Sequence, residues 1–281
     1  MRSIRALLYM PGDDRKKIEK AAGLEVDAVC LDLEDGVAFD QKEAAREITL
    51  TAISQIDFGD VERLIRINPI GSGLEEADLD MVLAAKPDGL IIPKVAHASD
   101  VITANKALQD AGLSDMALLA QIESAAGLVK LDEIAVTGGS LAALIFGAED
   151  YSADVGAKRS QNGEEVLFAR SQVVAYAAAN NLQAIDMLWV DYKDARGLER
   201  LAQQGAGLGY DGMQIIHPAQ IDIVQQAFSP SEQEIVFAER VIAAFENAKK
   251  EGKGVFALDN KMVDMPMIRS AQRVLSKVNK N

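Results

Sequence analysis

The chain has 281 residues, 49% of them hydrophobic, and a formal net charge of −14 at pH 7. That length holds one large α/β domain or two small ones, with enough apolar residues to bury a sizeable core. The acidity argues against nucleic acid, whose phosphates are bound through concentrated Lys and Arg, and its simplest consequence is solubility.

No run of about eighteen or more apolar residues marks a membrane span. Met1-Arg2-Ser3-Ile4-Arg5 passes straight into a strand-like segment, with no room for a signal peptide. Cys30 is the only cysteine, so no disulfide or zinc cluster forms within one chain. The expected compartment is the cytoplasm.

Taken in chain order, the strand candidates are 6–10, 28–33, 63–67, 89–93, 117–122, 142–146, 183–186 and 212–216. Most are apolar throughout, the mark of parallel strands covered by helices on their outer face. Helical stretches lie between them at 15–22, 41–53, 78–85, 101–111, 163–180 and 195–204. Gly23, Pro87 and Gly112 stop three of these. Strands each followed by a helix predict an α/β fold, the (β/α)₈ TIM barrel; a doubly wound open sheet is the alternative. Residues 1–228 would form the barrel and catalytic domain, and 229–281 a C-terminal helical extension. In that extension Ser229-Pro230-Ser231 starts a helix running to about Lys250, 251–254 breaks it, 255–258 is extended, and Pro266 opens a final helix. A barrel does not need this tail, so it is a packing clamp or a lid, exchanged between subunits or not.

A barrel carries its chemistry at the C-terminal ends of its strands. Polar residues at or just after those ends are Tyr9, the Asp32/Glu34/Asp35 group, Arg66, Lys94, Glu123, Glu149/Asp150, Asp186 and His217. Any one of them alone reads as a solvated loop residue; all on one rim read as a site. Glu123 and Asp150 follow neighbouring strands, and adjacent carboxylates repel unless they share a proton or a cation. Mg²⁺ held by one or two carboxylates, water and substrate is one solution, and a salt bridge to Arg66 or Lys94 is the other. Arg66 could bind a carboxylate or a thioester oxygen, pair with the Asp32–Asp35 cluster, or do both. Lys16 and Lys20 share one helix face near its start, which suits phosphate or merely solvent. Gly12, Gly71 and Gly73 form no GxGxxG or P-loop signature. His97 shows no partner and reads as a surface residue.

Several segments then resemble the citrate lyase β-subunit (CitE-like) branch of the HpcH/HpaI aldolase family. They are Leu8-Tyr9-Met10-Pro11-Gly12-Asp13, Leu31-Asp32-Leu33-Glu34-Asp35-Gly36-Val37, Arg66-Ile67-Asn68 and Ile92-Pro93-Lys94-Val95. Gln121-Ile122-Glu123-Ser124, Phe146-Gly147-Ala148-Glu149-Asp150 and Ile215-Ile216-His217-Pro218-Ala219-Gln220 continue the match. Phe228-Ser229-Pro230-Ser231 and Met262-Val263-Asp264-Met265-Pro266 extend it into the tail. Within the branch the chain is most similar to the citramalyl-CoA lyases.

The resemblance implies a Mg²⁺-dependent lyase on a trimeric barrel, acting on short 3-hydroxyacyl-CoA thioesters. It puts the metal on Glu123 and Asp150, the substrate arginine at Arg66, coenzyme A contacts at Tyr9, Lys16 and Lys20, and a further substrate contact at Ile216 and His217. It also implies that Asp264 reaches the active site of a neighbouring subunit as a proton-transfer acid. On residues alone, Asp264 reads equally as a helix N-cap before Pro266. The expected reaction is (S)-citramalyl-CoA to acetyl-CoA and pyruvate, or the malyl-CoA analogue, with malate synthase-type activity in the same range. One alternative is a citrate lyase β subunit acting on citryl bound to an acyl carrier protein; another is a non-catalytic acyl-CoA-binding barrel. No nucleic-acid or membrane partner is expected.

Overall fold

In the computed structural model, which describes residues 2–250, 256–259 and 261–278, eight parallel strands close into a barrel in chain order. They are β1 Ala6–Pro11, β2 Ala28–Asp32, β3 Glu62–Arg66, β4 Gly89–Ile92, β5 Ala117–Ile122, β6 Leu141–Phe146, β7 Gln183–Asp186 and β8 Gly212–Ile215, with β8 pairing back onto β1. The doubly wound alternative is therefore excluded. Helices wrap the outside: α1 Arg15–Ala22, α2 Lys42–Gln55, α3 Glu75–Ala85, α4 Ala98–Asp110, α5 Ala125–Val129, α6 Leu131–Ala135, α7 Ala148–Val155, α8 Leu167–Ala179, α9 Ala195–Leu208 and α10 Ile221–Phe228.

The strands read as apolar throughout because both faces are buried, yet the two faces do different work. Outward residues such as Val29, Leu31, Ile65 and Leu118 join the core shared with the helices. Inward residues such as Leu7, Cys30, Leu64, Ile91, Leu119 and Ile145 form a separate apolar plug inside the barrel. One step further along the same inward rows, the residues turn polar: Tyr9, Asp32, Arg66, Gln121 and Gln214. The period of two along a strand thus stacks a polar floor on an apolar plug.

Local signals set the helix ends. Asp14 caps α1, its side chain accepting from Lys17 N, and Gly23 closes the same helix. Asp194 caps α9 by accepting from Gly197 N. The short helices after β5 and β6 were not anticipated, because five to eight residues are too few to display a helical apolar stripe.

Asp186 departs from the expected rim. It turns outward, between barrel and helices, where Arg170 Nε and Nη2 donate to its Oδ1 and Oδ2 at 3.0 and 2.5 Å. Both side chains are fully buried. The alternation explains it: Ile185 takes the inward position, so Asp186 must face out. His97 is a surface residue as expected, but it has a partner: it stands before α4 with its Nδ1 2.7 Å from Lys130 Nζ.

The chain divides into two compact units, Ser3–Phe228 and one that begins at Ser229. The second holds α11 Glu232–Lys250, the hairpin β9 Phe256–Leu258 and β10 Lys261–Val263, and α12 Met265–Val278. Ala238, Val241, Val263, Ile268 and Ala271 form its own small core. The expected break at 251–254 and Val255 lie outside the described residues. Among the described residues no helix is long and apolar enough to cross a membrane.

Candidate active site

The polar floor opens into a cavity of about 350 Å³ at the C-terminal ends of the strands. Tyr9, Asp32, Arg66, Gln121, Glu123, Glu149, Asp150, Gln214 and Ile216 are among the residues that line it.

Arg66, at the end of β3, is buried and held from three sides. Its Nε and Nη2 donate to Asp32 Oδ1 and Oδ2 at 2.7 and 2.6 Å, and Nη1 lies 2.9 Å from Glu34 Oε2. Asp32 also accepts from Glu34 N and Gly36 N, which folds the loop after β2 around the guanidinium. A Cβ on Gly36 would collide with that carboxylate, so glycine is required there. The Arg66 guanidinium lies over the Tyr9 ring, 5.1 Å from its centroid. Burial works against its charge, but the Asp32 hydrogen bonds and charge outweigh it and hold the pKa well above the ordinary value. Both sequence readings of Arg66 are therefore compatible: it is ion-paired, and it still lines the cavity.

Lys94 sits just past β4 with φ 52°, a left-handed conformation that a non-glycine residue adopts at a cost. The strain serves two contacts. Its backbone N–H donates to Glu123 Oε1 at 2.7 Å, and its Nζ lies 2.5 Å from Glu34 Oε1. Burial opposes the ammonium, while Glu34 and Asp35 more than compensate and raise its pKa.

Glu123 follows β5 and is 2% exposed. Its second oxygen accepts from Gln121 Nε2 at 2.6 Å, and Gln121 Oε1 in turn accepts from Tyr9 Oη at 3.4 Å. Both donors to the carboxylate are neutral. Burial, then the charges of Glu34 and Asp150, push the Glu123 pKa up to about 8. Gly147 lies against this carboxylate, and a Cβ there would clash with it. Asp150 stands in the first turn of α7, half-buried on the same cavity. It takes no hydrogen bond or ion pair from any described residue. Glu149, next to it, is exposed and pairs with Arg159 at 2.9 Å.

This donor set suits a divalent cation. Glu123 and Asp150 share one cavity, Asp150 raises the proton affinity of Glu123, and neither makes an ion pair with a basic side chain of its own. Among the described residues no group of three or more His, Cys, Asp or Glu side chains could hold a metal. A cation here would rest on Glu123 and Asp150 plus water and ligand oxygens, the coordination habit of Mg²⁺.

A second cavity of about 280 Å³ shares Tyr9, Met10, Pro11 and Ile216 with the first. Lys17, Lys20, His217 and Pro218 line its far side. Lys16 is exposed on the same helix but is not in the lining, where Lys17 takes that place; Lys17 also pairs with Asp14 at 3.1 Å. The His217 ring stacks on Tyr192 with centroids 4.7 Å apart, and its Nδ1 accepts from Ala219 N. Gln220 fixes this loop by accepting from Ile216 N and His217 N while donating to Trp189 O.

Asp264, within the C-terminal unit, caps α12: Met267 N donates to its Oδ1 at 3.2 Å. The N-cap reading of the sequence is thus correct for its local role.

Gln121 and Gln214 were not singled out from the sequence as site residues. The signal was present in part: each inward row places a residue two positions beyond an apolar one, and a glutamine in an otherwise apolar strand breaks the pattern.

Together, fold and site define a (β/α)₈-barrel enzyme with a carboxylate-rich mouth. Residues 5–218 match the model of the HpcH/HpaI aldolase/citrate lyase family, and the chain belongs to that family. It is 39% identical to the mitochondrial citramalyl-CoA lyase of Homo sapiens, over 97% of this chain and 84% of the relative. It is 36% identical to a (3S)-malyl-CoA thioesterase of Cereibacter sphaeroides, over 97% and 94%. A solved structure of CitE from Mycobacterium tuberculosis, in complex with magnesium, acetoacetate and coenzyme A, superposes with a TM-score of 0.81 at 30% identity, covering 99% of this chain and all of that one.

Proposed function

We propose that this chain is a Mg²⁺-dependent carbon–carbon lyase acting on a short 3-hydroxyacyl-CoA, with (S)-citramalyl-CoA cleaved to acetyl-CoA and pyruvate. The observation that carries the reading is the shared cavity of Glu123, Asp150 and Arg66, continuous with a lysine-flanked groove. The named relatives support it, two of them being enzymes of acyl-CoA substrates.

Glu123 and Asp150 would hold the metal, which when bound supplies Lewis acidity to the substrate's hydroxyl and carboxylate oxygens. Cleavage sends the electron pair of the C–C bond to the acetyl unit, whose thioester oxygen becomes an enolate oxygen, while the 3-hydroxyl releases its proton to solvent and becomes the carbonyl of pyruvate. Arg66 is fixed in place by Asp32 and Glu34, so it meets that charge without reorganising. One such donor is worth roughly 3–4 kcal/mol of barrier. Lys20, Lys17 and Lys16 provide cations for the phosphates of coenzyme A, and Tyr9, Ile216 and His217 line the path between the two ends.

Asp264 exchanges the proton at the acetyl methyl carbon, as donor in cleavage and base in condensation, from the C-terminal segment of a neighbouring subunit in a homotrimer. Its capping role offers a clean test. Asp264→Asn keeps a good N-cap but loses the acid, so turnover is expected to fall about 10²-fold or more with little change in Tm. Unchanged turnover in Asp264→Asn removes the role.

The reaction itself is tested with a panel of 3-hydroxyacyl-CoA esters, measuring 2-oxo acid, acetyl-CoA and free CoA with and without EDTA. Pyruvate and acetyl-CoA should appear in equal amounts, stop with EDTA and return with Mg²⁺. Free CoA in place of acetyl-CoA would make the activity a thioesterase instead. Absence of any 2-oxo acid across the panel would sink the lyase reading.

A further inference from the structure

Gln214 is the one inward side chain of β8 between Gly212 and Ile216 that reaches the cavity floor, and it is 2% exposed. Its Nε2 donates both hydrogens to backbone carbonyls, Phe146 O on β6 at 2.9 Å and Asp186 O on β7 at 3.0 Å. This fixes which way the amide points, because a flip would set Oε1 against two carbonyl oxygens. Oε1 takes no hydrogen bond from any described residue, yet it is not sealed away from open space as the buried orphan atoms elsewhere are. Gln214 therefore presents the cavity with an acceptor that cannot become a donor.

The other cavity glutamine is locked differently. Gln121 is engaged at both ends, accepting from Tyr9 Oη and donating to Glu123, so its orientation is set by those partners. The bonds to Phe146 and Asp186 hold the Gln214 amide against β6 and β7, the side of the cavity from which Asp150 emerges. That side offers acceptors, whereas Arg66 puts donors on the side of β3. A ligand group sitting by Gln214 is favoured when it carries an O–H or N–H that Oε1 can accept.

We infer that Gln214 is a specificity residue that accepts a hydrogen bond from the 3-hydroxyl of the acyl chain and so selects hydroxyacyl over deoxy thioesters. The inference rests on the acyl-CoA reading above and deepens it.

The test compares binding of 3-hydroxybutyryl-CoA and butyryl-CoA by titration calorimetry, with Mg²⁺ present, for the full chain and for Gln214→Met. Neither probe carries the second carboxylate of the proposed substrate. The native protein should prefer the hydroxy ester by about tenfold, the scale of one buried hydrogen bond and its desolvation. Gln214→Met should lose most of that preference while keeping its Mg²⁺ affinity. A preference that survives the substitution overturns the inference, as does a fall in Mg²⁺ affinity with the preference intact. Should the variant fail to fold, native protein and 3-methoxybutyryl-CoA decide the matter: the ether keeps the oxygen but not the donor, so it should bind no better than butyryl-CoA. Binding equal to the hydroxy ester overturns the assignment. Failure of the native protein to bind either butyryl ester counts against the acyl-CoA reading itself.

Discussion

Replacing Glu123 by glutamine is expected to lower turnover by about 10³-fold or more, the scale of losing several kcal/mol of charge stabilisation from a bound metal. The substitution preserves shape, and its hydrogen bonds are recoverable. The new amide oxygen accepts from Lys94 N, while Gln121 turns over to accept from the new amide and donate to Tyr9 Oη. The fold should therefore persist, and the loss should be traceable to the cation. In the native protein the Glu123 carboxyl has its pKa raised to about 8 by burial and by Glu34 and Asp150. An acid whose folded pKa lies above its unfolded value binds more protons when folded, so it stabilises the folded state at low pH. That contribution is fully present below about 4.5 and is lost as pH rises through about 8. Magnesium must displace the same proton. Its apparent affinity should rise about tenfold per pH unit up to about pH 8 and level off above, a slope of one proton. Glu123→Gln should abolish the metal-dependent rise in Tm and flatten the metal-free stability between pH 5 and 8. Magnesium affinity independent of pH between 6 and 8 in the native protein would contradict the assignment of Glu123 as a ligand.

Arg66→Met should be the most damaging single change to stability and should also lower activity. It removes the cation between Asp32 and Glu34, which are both buried, and leaves Glu34 with Lys94 and Asp32 with only the backbone N–H groups of Glu34 and Gly36. Breaking a buried pair in this one-sided way costs about 3–5 kcal/mol. Burial already pushes the Glu34 pKa up, held in check by Arg66 and Lys94. Without Arg66 the Glu34 carboxyl retains its proton to higher pH, so the variant should be relatively more stable near pH 5.5 than near pH 8. Turnover should fall at least about 10²–10³-fold. Thermal melts across that pH range, paired with acetyl-CoA release at a pH where the variant is folded, separate the two effects. A variant as stable as the native protein at pH 8 would mean that the carboxylates are not balanced by this arginine.

Gly147 and Lys94 show how the same residues serve fold and site. Gly147 lets β6 pass into α7 hard against the Glu123 carboxylate, and the left-handed Lys94 turns a backbone N–H onto it. Both hold Glu123 by backbone geometry, leaving side-chain space around Asp150 open for ligand. Substitution at either place should disturb the site without touching a charged group of the proposed metal shell.

The sequence by itself determined the barrel. Its eight apolar runs agree with the observed strands to within a residue or so at each end, because a strand buried on both faces has no choice but to be apolar along its length. It also determined which residues follow the strand ends, and the motifs around Tyr9, Arg66, Glu123 and Asp150 pointed to the family that the comparisons show. Only the tertiary structure decided which way each side chain faces. Asp186 follows the same kind of strand as Glu123, yet one turns out to Arg170 and the other in to the cavity, since alternation sends neighbouring residues to opposite faces. The carboxylates around Arg66, the exchange of Lys17 for Lys16 beside the groove, and the locked amide of Gln214 depend on contacts between residues distant in the chain. Such contacts arise from the pairing of neighbouring strands and the closure of β8 onto β1, and no local pattern of residues encodes where they bring side chains.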